Sequence, residues 1–233
     1  MKVIGFTAKV GGGKDTAGML VTQALEEKGY RVTKLSFAKY LKDICTMMFG
    51  WDRVRLEHDF DYKEGDTLND GSPDPACAAL GMTRRVIMQK IGTEAMRDGL
   101  HYDIWIIALK LAIQRGEYND YDYGLLTDCR FINELQFVRD LDGTLIQVER
   151  QGEQTTLTDQ TQHQSELEWE SWTDWDALVP NFIDPNLSDD ENMMEFRKRL
   201  EAAIYYYEIA DISDNVQFNQ NTVADFAKKY RSM

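Results

Sequence analysis

Two hydrophobic periods take turns along this chain, and their order predicts an α/β architecture. Residues 3–6 form the continuous apolar run of a strand covered on both faces, and residues 17–27 follow with helical spacing. Residues 31–37 alternate as a strand does, so the N-terminal stretch reads as a βαβ unit, which implies a parallel sheet with a right-handed crossover. Residues 36–49 read as helix, with Phe37, Leu41, Ile44, Met48 and Phe49 near one face and Lys39, Lys42 and Asp43 off it. Residues 51–81 are polar and turn-rich, with acidic side chains set among Gly65, Gly71, Pro73 and Pro75. They read as an ordered excursion or a flap. Further on, Val86, Met88, Ile91 and Ala95 are expected to pack inward along a helix, while Arg85 and Gln89, four apart, share another face. Gly92 and Thr93 interrupt that pattern. Glycine inside a helix costs about 1 kcal/mol relative to alanine, so a break or a close backbone approach is expected there.

The second half repeats the alternation of strand and helix. Residues 104–114 read as an apolar helix, 123–130 as a short buried strand ending in Asp128 and Arg130, 131–140 as a helix, and 144–150 as a fourth strand. Residues 176–181 read as a short last strand, and Ser188 with Glu191 forms a capping box that opens a helix through Phe196, Leu200 and Ile204. Residues 216–218 and 222–230 either add an edge strand and covering helix or supply the last strand and helix of the core. Trp169, Trp172 and Trp175, spaced by three, suggest one buried helical face used for packing.

At 233 residues and 43% hydrophobic content, the chain fits one domain with insertions. We read 1–233 as that single domain, with an excursion near 50–105, a lid near 150–175 and a C-terminal extension from about 205. No apolar run approaches the ~20 residues of a membrane span, and the N-terminus leads straight into a core strand. A soluble, cytoplasmic protein with no membrane partner is expected. The formal charge of −14 argues against a nucleic-acid polymer as partner, because such proteins present basic surfaces. Small nucleotides need only a few convergent cations and stay open. Three scattered cysteines and three histidines lack metal-ligand spacing, so neither disulfides nor a structural metal is expected.

The chemistry gathers on Ala8-Lys9-Val10-Gly11-Gly12-Gly13-Lys14-Asp15-Thr16, between the first strand and the first helix. Glycines let successive N–H groups turn toward phosphate oxygens, and a helix N-terminus adds partial positive charge. Lys14 would reach the β- and γ-phosphates. The loop departs from G-x-x-x-x-G-K-[ST] at Ala8 and at Asp15, with Thr16 one position late. Ligands of parallel sheets collect at strand carboxyl ends, which puts Asp128 and Arg130 beside this loop. Asp128 could hold Mg²⁺ through water or accept from a sugar hydroxyl. Arg130 could bridge transferring phosphates, and Glu134 is expected to face the same cleft. Arg85 for a phosphate, Gln89 for a base edge and Trp105 for stacking would make a nucleotide pocket. Residues 151–175 follow a strand's carboxyl end. With Arg150, His163, Ser165 and Glu166 they suit a lid that excludes water.

Together, Gly13-Lys14-Asp15-Thr16, Arg85 with Gln89 and Gly92-Thr93-Glu94, Trp105, Asp128-Cys129-Arg130 with Glu134, and His163-Gln164-Ser165-Glu166 resemble the deoxynucleoside monophosphate kinases of tailed bacteriophages, a P-loop family. The resemblance spans most of residues 1–181. It implies a three-layer P-loop fold, a parallel sheet flanked by helices, with ATP and a deoxynucleoside monophosphate as substrates. Gly11, Gly12, Gly13, Lys14, Asp15 and Thr16 would form the ATP site. Arg85, Gln89, Gly92, Thr93, Trp105, Asp128, Arg130 and Glu134 would form the monophosphate site. Lys14, Arg85, Asp128 and Arg130 would be catalytic, and Mg²⁺ would sit at Thr16 and Asp128. If the source is a phage, the compartment is host cytoplasm; a homodimer stays open. Two other readings remain: a P-loop kinase of another phosphorylated small molecule, phosphomevalonate-like, and a nucleotide-binding switch.

Overall fold

The computed structural model describes residues 1–9, 11–150 and 168–212. Its frame is a sheet of five parallel strands: β1 (Lys2–Thr7), β2 (Val32–Leu35), β3 (Tyr123–Leu126), β4 (Thr144–Arg150) and β5 (Ala177–Asn181). They lie in the order β2-β3-β1-β4-β5. The register runs Ile4 beside Leu125 on one flank and Phe6 beside Ile146 on the other.

Because a strand turns successive side chains to opposite faces, the apolar run in β1 serves two cores. Ile4 and Phe6 point to one, with Leu125, Ile146, Leu20 and Val21 of α1 (Lys14–Glu27), and Phe196 and Leu200 of the last helix (Asp189–Ile212). Val3 points to the other, with Leu126 and Leu145. There α7 (Ile104–Gln114) supplies Trp105 and Leu109, and α8 (Ile132–Asp140) supplies Leu135 and Val138. Helices therefore cover both faces. Trp169, Trp172 and Trp175 pack against this second core, but only Trp169 sits in a helical turn, a short 3₁₀ segment. The other two follow it in irregular chain.

Between β2 and α7 the chain builds a satellite. In order come α2 (Lys39–Phe49), α3 (Arg53–His58), α4 (Phe60–Glu64), α5 (Pro75–Leu80), α6 (Arg84–Gln89) and a π-helix (Lys90–Asp98). Residues 51–81, so polar in sequence, cover a small core of Cys45, Trp51, Leu56, Tyr62, Cys77, Ile87 and Met88. Arg84, fully buried, ties it together by donating to the carbonyls of Tyr62 and Thr67 and to Asp74 Oδ2 at 2.7 Å. Asp74 also accepts from the N–H groups of Ala76 and Cys77 and so caps α5.

Three side chains expected inside are outside. Met48 is 62% exposed, because α2 starts at Lys39 and turns Cys45 inward instead. Val86 and Ala95 are exposed as well. Val86 lies in α6, which turns Ile87 and Met88 inward instead; for Ala95, the π-helix widens the turn after Gln89, and a wider turn shifts which positions recur on one face. Gly92, Thr93 and Arg97 become the buried residues. The close approach expected at Gly92 is to Leu41, whose Cδ2 would stand 2.8 Å from an added Cβ. Residues 216–218 and 222–230 lie outside the described residues.

Candidate active site

The glycine loop is fixed by the ends of the two strands beyond it. Arg150 Nη1, at the end of β4, donates to the carbonyl of Gly11 at 3.0 Å, and Asn181 Nδ2, at the end of β5, donates to that of Gly12 at 3.1 Å. Gly13 has φ +96°, and any Cβ there would overlap Asn181 Nδ2. The glycine is thus demanded twice, by conformation and by contact. No side chain caps α1. The N–H groups of its first turn, Lys14, Asp15 and Thr16, are left as donors for an anion.

Beside this turn opens a cavity of about 240 Å³. Of the residues expected in the site, it gathers Lys14, Asp15, Arg85, Gln89, Gly92, Thr93, Trp105, Asp128, Arg130 and Glu134. Phe37, Leu41, Met88 and Trp105 make part of its wall apolar. Seven basic side chains face four carboxylates around it, so a protein that is acidic as a whole keeps one local concentration of positive charge. Thr16 lies instead on a neighbouring cavity of about 620 Å³, which shares Asp15, Lys34, Glu57, Lys63 and Thr127 with the first. Asp15 and Thr127 line both cavities, while Thr16 lines the second and Asp128 the first. His163, Ser165 and Glu166 lie outside the described residues. Arg150 holds the loop backbone.

Individual roles also differ from expectation. Trp105 is buried in the second core and spends its indole N–H on the carbonyl of Gly92 at 3.0 Å, leaving one edge to the cavity. Asp128 Oδ2 accepts from Ser36 Oγ at 2.7 Å and from the Ala38 N–H at 3.0 Å, while its buried Oδ1 has no hydrogen-bond partner among the described residues. An acceptor of this kind beside a cavity calls for a ligand hydroxyl, water or cation. Arg85 binds Glu64 at 2.8 Å at the cavity wall. Asp15 accepts from Lys14 at 3.1 Å and from Thr127 Oγ1 at 2.9 Å. Burial raises its carboxyl, Lys14 and the hydrogen bond from Thr127 lower it further, and the balance lies below the ordinary value.

Glu134 is buried at the cavity lining and ties down the chain around it. Oε2 accepts from the backbone N–H groups of Arg130 at 2.7 Å and Phe131 at 3.1 Å, and Oε1 pairs with Arg97. Burial first, with the charge of Asp128, raises its carboxyl to about 7 against the opposing pull of Arg97 and the two N–H groups. Arg97 was not singled out in the sequence. Its one signal is a cation within the stretch where Gly92 breaks the helical period.

A second carboxylate missed in the sequence joins the satellite to the sheet. Glu57 accepts from Lys34 and Lys42 at 2.7 Å each and from Arg53 at 3.0 Å. Burial opposes its ionisation, but Lys34 and Lys42 win and hold it well below the ordinary value of 4.5. Its stabilisation is thus present above pH 4.5 and lost as pH falls toward the folded value. Glu57→Gln should lose about 2 kcal/mol at neutral pH, discounted for the partly exposed lysines, and should show a shallower acid limb in urea unfolding. An unchanged limb would remove Glu57 from the account.

Comparison with known proteins bears on this geometry. A family model described as deoxynucleotide monophosphate kinase matches residues 78–181, from within α5 to the end of β5. A protein of Acanthamoeba polyphaga mimivirus, provisionally named deoxynucleotide monophosphate kinase, is 30% identical over 189 residues, 78% of this chain and 89% of that one. The deoxynucleoside-5′-monophosphate kinase of Escherichia phage T5 is 35% identical over 75 residues, 30% of this chain and 29% of that protein. An APS kinase of Mycobacterium tuberculosis, 17% identical, aligns over 86% of this chain and 96% of its own with a TM-score of 0.34. By its match along nearly the whole of the mimiviral relative, this chain belongs to the deoxynucleotide monophosphate kinase family.

Proposed function

We propose that the chain transfers the γ-phosphoryl group of ATP in line to the 5′-phosphate of a deoxynucleoside monophosphate. The observation that carries this reading is one cavity lined both by phosphate-binding groups, Lys14, Arg85 and Arg130, and by groups suited to a base, Gln89 and Trp105. ATP phosphates would lie on the first-turn N–H groups of α1, with Lys14 beside the β- and γ-phosphates. The acceptor phosphate is already an anion, so the protein needs no strong base; it must align two anions and neutralise the charge between them. Arg85 and Arg130 supply that neutralisation. Asp128 Oδ1, without a partner, would accept from the sugar. Asp15, Thr16 and Asp128 offer hard oxygen donors that fit Mg²⁺, which would contribute charge neutralisation at the phosphates.

A coupled assay of ADP release with ATP, Mg²⁺ and a panel of deoxy- and ribonucleoside monophosphates tests this. ADP release that depends on a deoxynucleotide acceptor is expected. Slow release independent of any acceptor would instead mark a nucleotide switch.

A further inference from the structure

Lys63 stands apart from the cations around it. Lys34 and Lys42 spend their charge on Glu57, and Arg85 binds Glu64. Lys63, in α4, makes no hydrogen bond or ion pair among the described residues. Yet its side chain is half-buried and lines both cavities, on the wall between them. A partly desolvated cation with no ion pair or hydrogen bond among the described residues is costly to hold, and α4 is anchored there by Asp59 as its cap and by Tyr62 in the satellite core. The chain thus fixes a positive charge in the cavity lining that also holds Lys14 and Arg85, in an otherwise acidic protein.

We propose that Lys63 binds the phosphate of the acceptor nucleotide, its ammonium joining the Arg85 guanidinium on a phosphomonoester dianion. This rests on the kinase reading above. The cavity's apolar wall of Phe37, Leu41 and Met88 suits a base or sugar, while Lys14, Lys63 and Arg85 bring positive charge to the same lining. A phosphomonoester has that polarity. Burial and the like charges of Lys42 and Arg85 lower the Lys63 ammonium from its ordinary value, against the pull of Asp15 and Glu57. An arriving dianion relieves this strain on the charged form. In sequence, Lys63 is hidden in an acidic, turn-rich stretch that reads as an excursion or a flap.

The test compares wild type, Lys63→Met and Lys63→Arg in steady-state kinetics and thermal unfolding with and without deoxynucleoside monophosphate. Lys63→Met should lower kcat/KM for the acceptor about 30-fold, with KM for ATP within about 2-fold, and Lys63→Arg should recover part of the loss. The Tm of the unliganded Met variant should not fall, since no ion pair is removed, while its acceptor-induced rise in Tm should shrink. Unchanged kcat/KM for the acceptor, a rise in KM for ATP alone, or a lowered unliganded Tm with a normal acceptor-induced shift would each overturn the assignment of Lys63. Absence of acceptor-dependent ADP release in the wild type would overturn the kinase reading and this proposal together, so the two failures are distinguishable.

Discussion

Replacing Arg130 with alanine is expected to lower kcat about 10³-fold, the scale on which charge-stabilising groups in phosphoryl transfer act. The residue stands four beyond Leu126, the end of β3, where its side chain enters the cavity wall with Lys14 and Arg85. Glu134 Oε2 accepts from the Arg130 N–H and so fixes the backbone from which the side chain starts. Truncation removes the charge while that backbone anchor remains, and the unliganded Tm of the variant, measured beside its kcat, separates lost charge from lost structure. Arg130→Lys should recover a small part of the activity, because an ammonium restores charge without the planar fork that holds two phosphate oxygens. Single-turnover measurement with saturating ATP and acceptor separates the chemical step from binding. Normal turnover in the alanine variant would remove Arg130 from the transfer step.

Much of this site could be read from one dimension because its parts are short and local. The loop from Gly11 to Lys14 follows an apolar strand directly, and Asp128 and Arg130 follow another. In a parallel sheet both must emerge at the same edge. Strand period located β4 and β5 close to their observed bounds and found the start of β3, which ends at Leu126 rather than running on to Arg130. What escaped depends on contacts between distant segments. Asn181 reaches Gly12 across 169 residues, and Ser36 reaches Asp128 across 92. Glu57 and Lys63 lie in a stretch that reads as an excursion or a flap, and they acquire meaning only once α3 and α4 fold over Leu56 and Tyr62. Arg97 became a core residue through the π-helix, a change of period that a 3.6-residue reading misses. Asp15, a departure from the expected loop pattern in sequence, lines both cavities in the fold, and Thr16 lines the second beside it.

Glu134→Ala should be the most destabilising single change in the site. The carboxylate is 2% exposed and receives three donors: the Arg130 and Phe131 N–H groups and the Arg97 guanidinium. Arg97 is itself buried, donates to the carbonyl of Tyr102 at 3.1 Å and lies 3.9 Å from the centroid of the Phe131 ring. Alanine would leave those donors in a dry interior without an acceptor, at about 3–5 kcal/mol. For a chain of this size that corresponds to a fall in Tm of about 10 °C. Turnover should fall too, because the backbone that aims Arg130 loses its anchor. Glu134→Gln keeps one acceptor oxygen and should lose less on both counts. The raised carboxyl adds a test by pH. Its stabilising contribution is full below the ordinary value of 4.5 and is lost as pH rises through about 7. Wild-type stability in urea should therefore decline from about pH 5 to about pH 8 through this group, and the glutamine variant should decline less over the same interval. A Glu134→Ala protein within about 1 kcal/mol of wild type would mean that neither Arg97 nor the start of α8 depends on this carboxylate.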